Sequence, residues 1–209
     1  MTRAAASRTL RIGLSGPIGC GKSTVARWLG ELGARLIDAD QVARDATPPG
    51  SAELAVVVGA FGPGVLRADG SLDRRALGRI VFADPVALAR LESIIHPTVR
   101  PRILAAIAEA EREGVPAVVV EAIKLVEGGL AELCDDVWLV TCDPAAQRER
   151  LTARGADPAD AEARIAAQTN LVARLTPAAT RVIDTAGTLD EARRRVLAAW
   201  SAAMQPANT

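Results

Sequence analysis

The segment GPIGCGKST, Gly16 to Thr24, places three glycines, a lysine and two hydroxyls within nine residues. From Gly16 to Ser23 it matches G-x-x-x-x-G-K-[ST], the pattern of a loop that wraps the phosphates of a nucleotide. Gly16, Gly19 and Gly21 let backbone N–H groups converge on an anion that side chains would keep away. Cys20 and Thr24 add N–H groups to the same run. Lys22 brings a mobile positive charge, and Ser23 offers the hydroxyl that a phosphate-bound Mg²⁺ needs. A largely apolar run, Leu10 to Leu14, precedes the loop, and the helix-like VARWL follows it, aiming the positive end of a helix dipole at the same place. Loop and flanks together predict nucleotide binding.

The loop says what is held and leaves open what is done with it. Two carboxylates, Asp38 and Asp40, follow the next apolar run. In an extended segment, residues two apart point to one side and would face a substrate together. Equally, one of them caps the helix that begins near Gln41; on spacing alone both readings stand. Cations are offered by Arg148, Arg150 and Arg154, with Arg164 and Arg174 beyond. Arg150 and Arg154 are four apart and share a helix face, which serves either a phosphate or plain solvation. The only histidine, His96, precedes Pro97 in ESIIHPTVRP, beside what reads as a helix start. There it is either a hydrogen-bonded structural residue or part of a site.

Hydrophobic periodicity supplies the elements that must position these groups. Leu10–Ser15 reads as a buried strand, Lys22–Leu32 as a helix ended near Gly33, and Ala34–Ile37 as a second strand. From Gln41 to Gly114 the pattern is helical, broken at Pro48-Pro49-Gly50, Gly62-Pro63-Gly64 and Ala68-Asp69-Gly70. Val115–Ala122 and Asp136–Thr141 are strand runs. Ala145–Arg154 and Pro158–Gln168 read as helices, the latter with Asp157 placed to cap and Pro158 at its first position. Arg181–Asp184 is a short last strand and Leu189–Ala203 a closing helix. Alternation of strand and helix at both ends predicts an α/β fold: an open parallel sheet with helices on both faces. The helical stretch between the second and third strands is too long for a simple crossover. It is expected to form a lobe over the strands' carboxyl ends, where the phosphate loop lies.

Composition removes several classes. Twenty-five basic residues balance twenty-five acidic ones, so nothing global favours nucleic acid or a membrane surface. Aromatic content of 2%, with no Tyr, leaves few platforms for stacking bases. No apolar run approaches the length of a bilayer span. Cys20, Cys134 and Cys142 are odd in number and lack metal-ligand spacing, which argues against a disulfide framework or zinc site and for a reducing, cytoplasmic setting. The opening MTRAAASRTLR reads as a short disordered start leading into the first strand.

Among phosphate-loop proteins, large GTP-binding switches need an Asn-Lys-x-Asp and transporter ATPases a Leu-Ser-Gly-Gly-Gln; neither is present. A small phosphoryl-transfer enzyme remains. Here the residues resemble a known family. GLSGPIGCGKSTVARWLGELGARLIDADQVAR is similar to the opening of dephospho-CoA kinases, with Ile-Asp-Ala-Asp after the loop. LDRRALGRIVFADP and LESIIHPTVR resemble that family's central segments, and IAAQTNLVAR and RVIDTAG its closing ones, so the resemblance runs from about Leu10 to Ala203.

The resemblance implies a P-loop NTPase three-layer fold within one kinase domain, 1–209. Residues 10–40 and 115–209 would form the nucleotide-binding core, 41–114 a helical acceptor-binding lobe, and 143–175 a lid. It implies ATP and Mg²⁺ as cofactors, dephospho-CoA as the small-molecule partner, and phosphorylation of that substrate's ribose 3′-hydroxyl. Asp40 falls on the family's proposed base, with Lys22 and Arg150 acting on the transferring phosphate and Arg154 on the nucleotide. Asp38, Arg75, His96 and Glu121 fall on the acceptor side, and Ser23 on the metal. Three departures stand out: Pro17 for a second glycine, Cys20 for a small residue, and Ile123-Lys124 where the family has Pro-Leu. Another small-molecule or nucleoside monophosphate kinase, or a non-catalytic nucleotide-binding module, would share the loop.

Overall fold

In the computed structural model, residues 8–205 are described. Five strands, β1 (Leu10–Ser15), β2 (Arg35–Asp38), β3 (Ala117–Glu121), β4 (Asp136–Thr141) and β5 (Arg181–Asp184), form one sheet in the order β2-β3-β1-β4-β5. β1 pairs in parallel with both β3 and β4, and β4 with β5. Strands covered on both faces must be apolar throughout rather than alternating, and Val118 to Val120 are fully buried as a continuous run. The order 3-1-4 makes β1 a switch point, the place where an open α/β sheet leaves a crevice beyond its strand ends.

Helices cover this sheet. α1 (Lys22–Glu31) buries Val25, Ala26, Trp28 and Leu29 against Ile12, Leu14, Trp138 and Val196, the last from α9 (Leu189–Ala203). α9 starts with a capping box in which Thr188 and Glu191 satisfy each other's backbone. α6 (Pro144–Ala153) and α7 (Pro158–Ala166) open on Asp143 and Asp157, whose carboxylates accept from N–H groups of the first turn. α7 stops at Ala166, short of the expected Gln168, and α8 (Leu171–Leu175) follows.

The chain divides into two compact units. The first comprises residues up to Ile37 with those from Ala108 onward, and the second Asp38–Ile107. The second unit holds α2 (Ala39–Arg44), α3 (Ala52–Phe61), α4 (Arg74–Val81) and most of α5 (Pro85–Glu113). Its own core is Leu54, Val57, Val65, Leu72, Leu77 and Val81. The predicted breaks at 48–50, 62–64 and 68–70 all fall between its α-helices, the second of them overlapping a short 3₁₀ turn, Pro63–Val65.

Three expectations change. Most of the proposed disordered start, residues 1–7, lies outside the described residues; Arg8 already pairs with Asp135, and Thr9 is buried with its hydroxyl donating to Val115 O. No helix starts at Pro97: α5 runs through Pro97 and Pro101, so His96 sits inside a helix with its side chain exposed. Proline normally interrupts a helix interior by removing an N–H; here the length of α5, 29 residues, carries it across both. Finally, Cys20 and Cys142 form a disulfide with Cα atoms 5.1 Å apart. A separation of 122 residues hides this in the sequence, but each cysteine follows the carboxyl end of one of two paired parallel strands, β1 and β4. Cys134 remains the free thiol, pushed up to about 12 mainly by burial and then by Asp135.

Candidate active site

The phosphate loop leaves the carboxyl end of β1 and delivers the chain into α1. It passes close against β4: a Cβ on Gly16 would lie 2.1 Å from the carbonyl oxygen of Val140, so no side chain fits there. Gly21 is the residue preceding α1, in the left-handed conformation, and Thr24 N donates back to Gly21 O at 3.0 Å. The start of α1 and its helix dipole present positive charge at the loop. Lys22 is folded over the loop, its ammonium donating to Gly16 O at 2.7 Å and Pro17 O at 3.3 Å. Pro17 thus lacks an N–H but supplies a carbonyl that also accepts from Cys20 N at 3.4 Å.

Ser23 and Glu121 come together. Leu14 and Glu121 are register partners in the β1–β3 pair, and the Ser23 hydroxyl donates to Glu121 Oε1 at 3.5 Å. A hydroxyl and a carboxylate oxygen at that spacing are the hard oxygen donors that suit Mg²⁺, which takes few protein ligands and completes its shell with water and phosphate.

On the other side of the loop, Thr185 joins three elements. Buried at the end of β5, it accepts from Arg150 Nη1 at 2.9 Å, while its hydroxyl lies 2.8 Å from the Cys20 carbonyl. Arg150 Nη2 also donates to Thr185 O at 2.7 Å. Arg150 is thereby fixed beside Gly21, where its charge serves the loop. Arg154 lies further along: with Arg150, Trp28 and Leu189 it lines a cavity of about 170 Å³ opening between Gly21, Thr24 and Thr185. An indole, two aliphatic walls and two guanidinium planes suit the flat face of a nucleobase.

The remaining cations separate by partner. Arg148 pairs with Glu162, Arg164 with Asp160 and Arg174 with Glu127, all in exposed positions. Those three brace the surface, whereas Arg150 and Arg154 face the loop.

In the second unit, Asp38 is the cap of α2: its Oδ1 accepts from Gln41 N at 2.8 Å, and Arg44 approaches Oδ2 at 3.4 Å. Asp40 lies in the first turn of α2, half-buried. The two carboxylates therefore do not share an extended segment, and the i, i+2 argument for a common side does not apply. Arg75 is in the first turn of α4, its N–H on Asp73 and its side chain exposed. Trp28, Thr185, Leu189, Gln147 and Gln168 escaped the sequence reading. Two carried a signal without a role: Gln168 is the glutamine of the quoted segment IAAQTNLVAR, and Thr185 follows the strand end RVID in RVIDTAG.

Comparison with known proteins agrees with this geometry. The family model described as dephospho-CoA kinase matches residues 10–191. A dephospho-CoA kinase of Symbiobacterium thermophilum is 50% identical over 193 residues, 92% of this chain and 80% of that protein. One from Geobacter metallireducens is 47% identical, across 91% of this chain and 95% of that protein. A crystal structure from Thermus thermophilus superposes with a TM-score of 0.81 at 32% identity, covering 96% of this chain and all of that one, 100%. A phosphate loop built on β1, a matching fold and this extent of identity lead to one conclusion: the chain belongs to the dephospho-CoA kinase family.

Proposed function

We propose that this protein transfers the γ-phosphate of ATP to the ribose 3′-hydroxyl of dephospho-CoA, giving CoA and ADP, the last step of coenzyme A synthesis. The observation that carries the reading is the complete phosphate loop, with Ser23 facing Glu121, in a chain matched by the family over residues 10–191. The loop N–H groups from Gly19 to Thr24 cradle the β- and γ-phosphates, and the cavity beside Trp28 takes the base. Bound Mg²⁺, held by Ser23 with Glu121 behind it, would neutralise phosphate charge. Lys22 exchanges its loop carbonyls for phosphate oxygens, and Arg150, anchored on Thr185, meets the charge that develops in transfer. Arg154 takes the outer nucleotide.

Asp40 orients the acceptor hydroxyl and accepts its proton, while Asp38 holds the start of α2. Arg75 and His96, exposed on helices of the second unit, bind the acceptor. The working division is nucleotide binding by 10–40 and 115–209, acceptor binding by 41–114, and a lid at 143–175 that excludes water from the γ-phosphate. The setting we propose is cytoplasmic; among the described residues no helix is long and apolar enough to cross a membrane.

The test is purified protein with Mg-ATP and dephospho-CoA, the product identified by mass. One added phosphoryl group on dephospho-CoA is expected, with slow ATP hydrolysis when the acceptor is left out. Product from a sugar or nucleoside monophosphate alone would move the protein to another kinase class. Tight nucleotide binding with no product from any acceptor would make it a binding module.

A further inference from the structure

Ile18, at the apex of the phosphate loop, is held through both of its flanking peptides. Its N–H donates to Gln168 Oε1 at 2.7 Å, and its carbonyl accepts from Gln147 Nε2 at 2.6 Å. Gln147 is on α6 and 7% exposed, one of few buried polar side chains among the described residues. A primary amide buried to this degree costs stability unless paired, and this one is paired to the loop. The contact extends to the next residue. Gly19 has φ +79°, and a Cβ there would lie 3.0 Å from both Gln147 Cγ and Gln147 O. The α6 backbone therefore abuts the loop where its run of phosphate-facing N–H groups begins. Gln168 approaches from a different element, the short connection between α7 and α8. Pro17, with φ fixed by its ring and no N–H of its own, precedes Ile18, so the Ile18 N–H is the first after it that can be anchored.

We propose that Gln147 and Gln168 are positioning residues for phosphoryl transfer: they fix the two peptides on either side of the Ile18 Cα so that the N–H groups after them converge on the transferring phosphate. With the N–H of the Pro17–Ile18 peptide and the carbonyl of the Ile18–Gly19 peptide both tied outward, rotation of either plane is blocked, and Gly19, whose N–H shares the second plane, presents it in one direction only. Gln168 also makes the loop's shape depend on the arrangement of the 158–175 segment, so the proposed lid, 143–175, and the phosphate cradle share both hydrogen bonds. This deepens the kinase reading and rests on it.

The two glutamines play opposite roles, acceptor at 168 and donor at 147, and that difference gives the test. Gln147→Met and Gln168→Met keep length while removing one hydrogen bond each. Each should lower kcat by roughly ten- to a hundredfold, the scale of a small misplacement of reacting groups. KM for dephospho-CoA should stay unchanged. The double variant should be about as slow as the worse single, because the two bonds hold adjacent peptides of one residue. Gln168→Glu still accepts from Ile18 N–H and should retain more activity than Gln168→Met. Gln147→Glu sets a carboxylate against a carbonyl and should fall below Gln147→Met. Losses that multiply in the double variant, or Gln168→Glu no better than Gln168→Met, would overturn the proposal. Half-exposed Gln168 keeps the test decisive should the buried Gln147 variants fail to fold. Calorimetric titration with ADP separates the two readings: weakened ADP binding in both Met variants supports the clamp whatever the acceptor is, and unchanged binding with unchanged kcat removes it.

Discussion

The two units present their candidate groups in different ways. Around the phosphate loop the recognising atoms are backbone, and the side chains beneath them are locked: Cys20 is disulfide-bonded to Cys142, Thr185 sits between Arg150 and the Cys20 carbonyl, and Gln147 is buried under Ile18. In the second unit the candidates are side chains on helices, with Arg75 and His96 exposed and Asp40 half-buried. A phosphate is the same in every nucleotide, so a rigid cradle suits it, and its ordering cost is met in folding. An acceptor with a long flexible arm gains from groups that order only when it arrives. The first region should therefore lose chemistry and binding together when altered, and the second should lose them separately.

The largest effect is expected from Lys22→Ala. Its ammonium rests on Gly16 O and Pro17 O, within reach of any bound phosphate. On the role proposed for it, Lys22 contacts the phosphates before and during transfer, so its loss should abolish turnover and also weaken ATP binding. Calorimetry beside a kinetic assay checks both, and normal turnover would remove the loop from the chemistry.

Asp40→Asn should separate what Lys22→Ala joins. Asparagine keeps size and one acceptor oxygen but takes no proton at neutral pH. Turnover should fall by roughly a hundred- to ten-thousandfold, the range of a lost general base, with ATP affinity kept. Asp38→Asn should cost far less, since asparagine caps a helix about as well as aspartate and capping is what Asp38 does. If the Asp38 variant loses kcat and the Asp40 variant retains it, the base has been assigned to the wrong carboxylate.

Smaller still is Arg75→Ala. An exposed guanidinium meeting an anionic acceptor should contribute to its binding, and its removal should raise KM for dephospho-CoA by about tenfold, near 1.4 kcal/mol, with KM for ATP unmoved. An equal rise in both KM values would contradict the separation of the two sides.

The same contrast explains what the sequence disclosed. The phosphate loop was legible because its function fixes residue type and spacing within nine positions, from Gly16 to Thr24. The strands were legible because a sheet buried on both faces demands unbroken runs such as Val118 to Val120. The Cys20–Cys142 bond and the Ile18 clamp were not, since each joins residues more than 120 positions apart through the packing of neighbouring elements. α5 misled because Pro97 and Pro101 are local helix-breaking signals overridden by a helix of 29 residues. The role of Asp38 was undecidable in sequence because cap and catalyst ask for the same residue type.

The smallest expected effect lies away from both substrates, in the first unit's sheet, and asks whether its rigidity is electrostatic as well as apolar. Asp136 opens β4 and accepts from Thr180 Oγ1, from Arg181 Nε at 3.0 Å and from the indole N–H of buried Trp138 at 3.2 Å. Burial alone would raise its pKa, but the hydrogen bonds from Thr180, Arg181 and Trp138 outweigh it and hold the carboxyl below its ordinary value. A carboxylate whose folded pKa is depressed stabilises the fold fully above its unfolded pKa, and that contribution is lost as pH falls through the folded value. Asp136→Ala should therefore destabilise the protein at neutral pH by roughly 1–3 kcal/mol, the cost of leaving a buried donor without its partner. The gap to wild type should narrow below about pH 4, where the unfolded carboxyl begins to take up its proton. Denaturant midpoints of both proteins at neutral and at acid pH decide it. A gap constant across that range would mean that Asp136 acts through shape, and that this sheet owes its rigidity to packing and backbone alone, unlike the phosphate loop beside it, which Gln147 and Gln168 hold by side-chain hydrogen bonds.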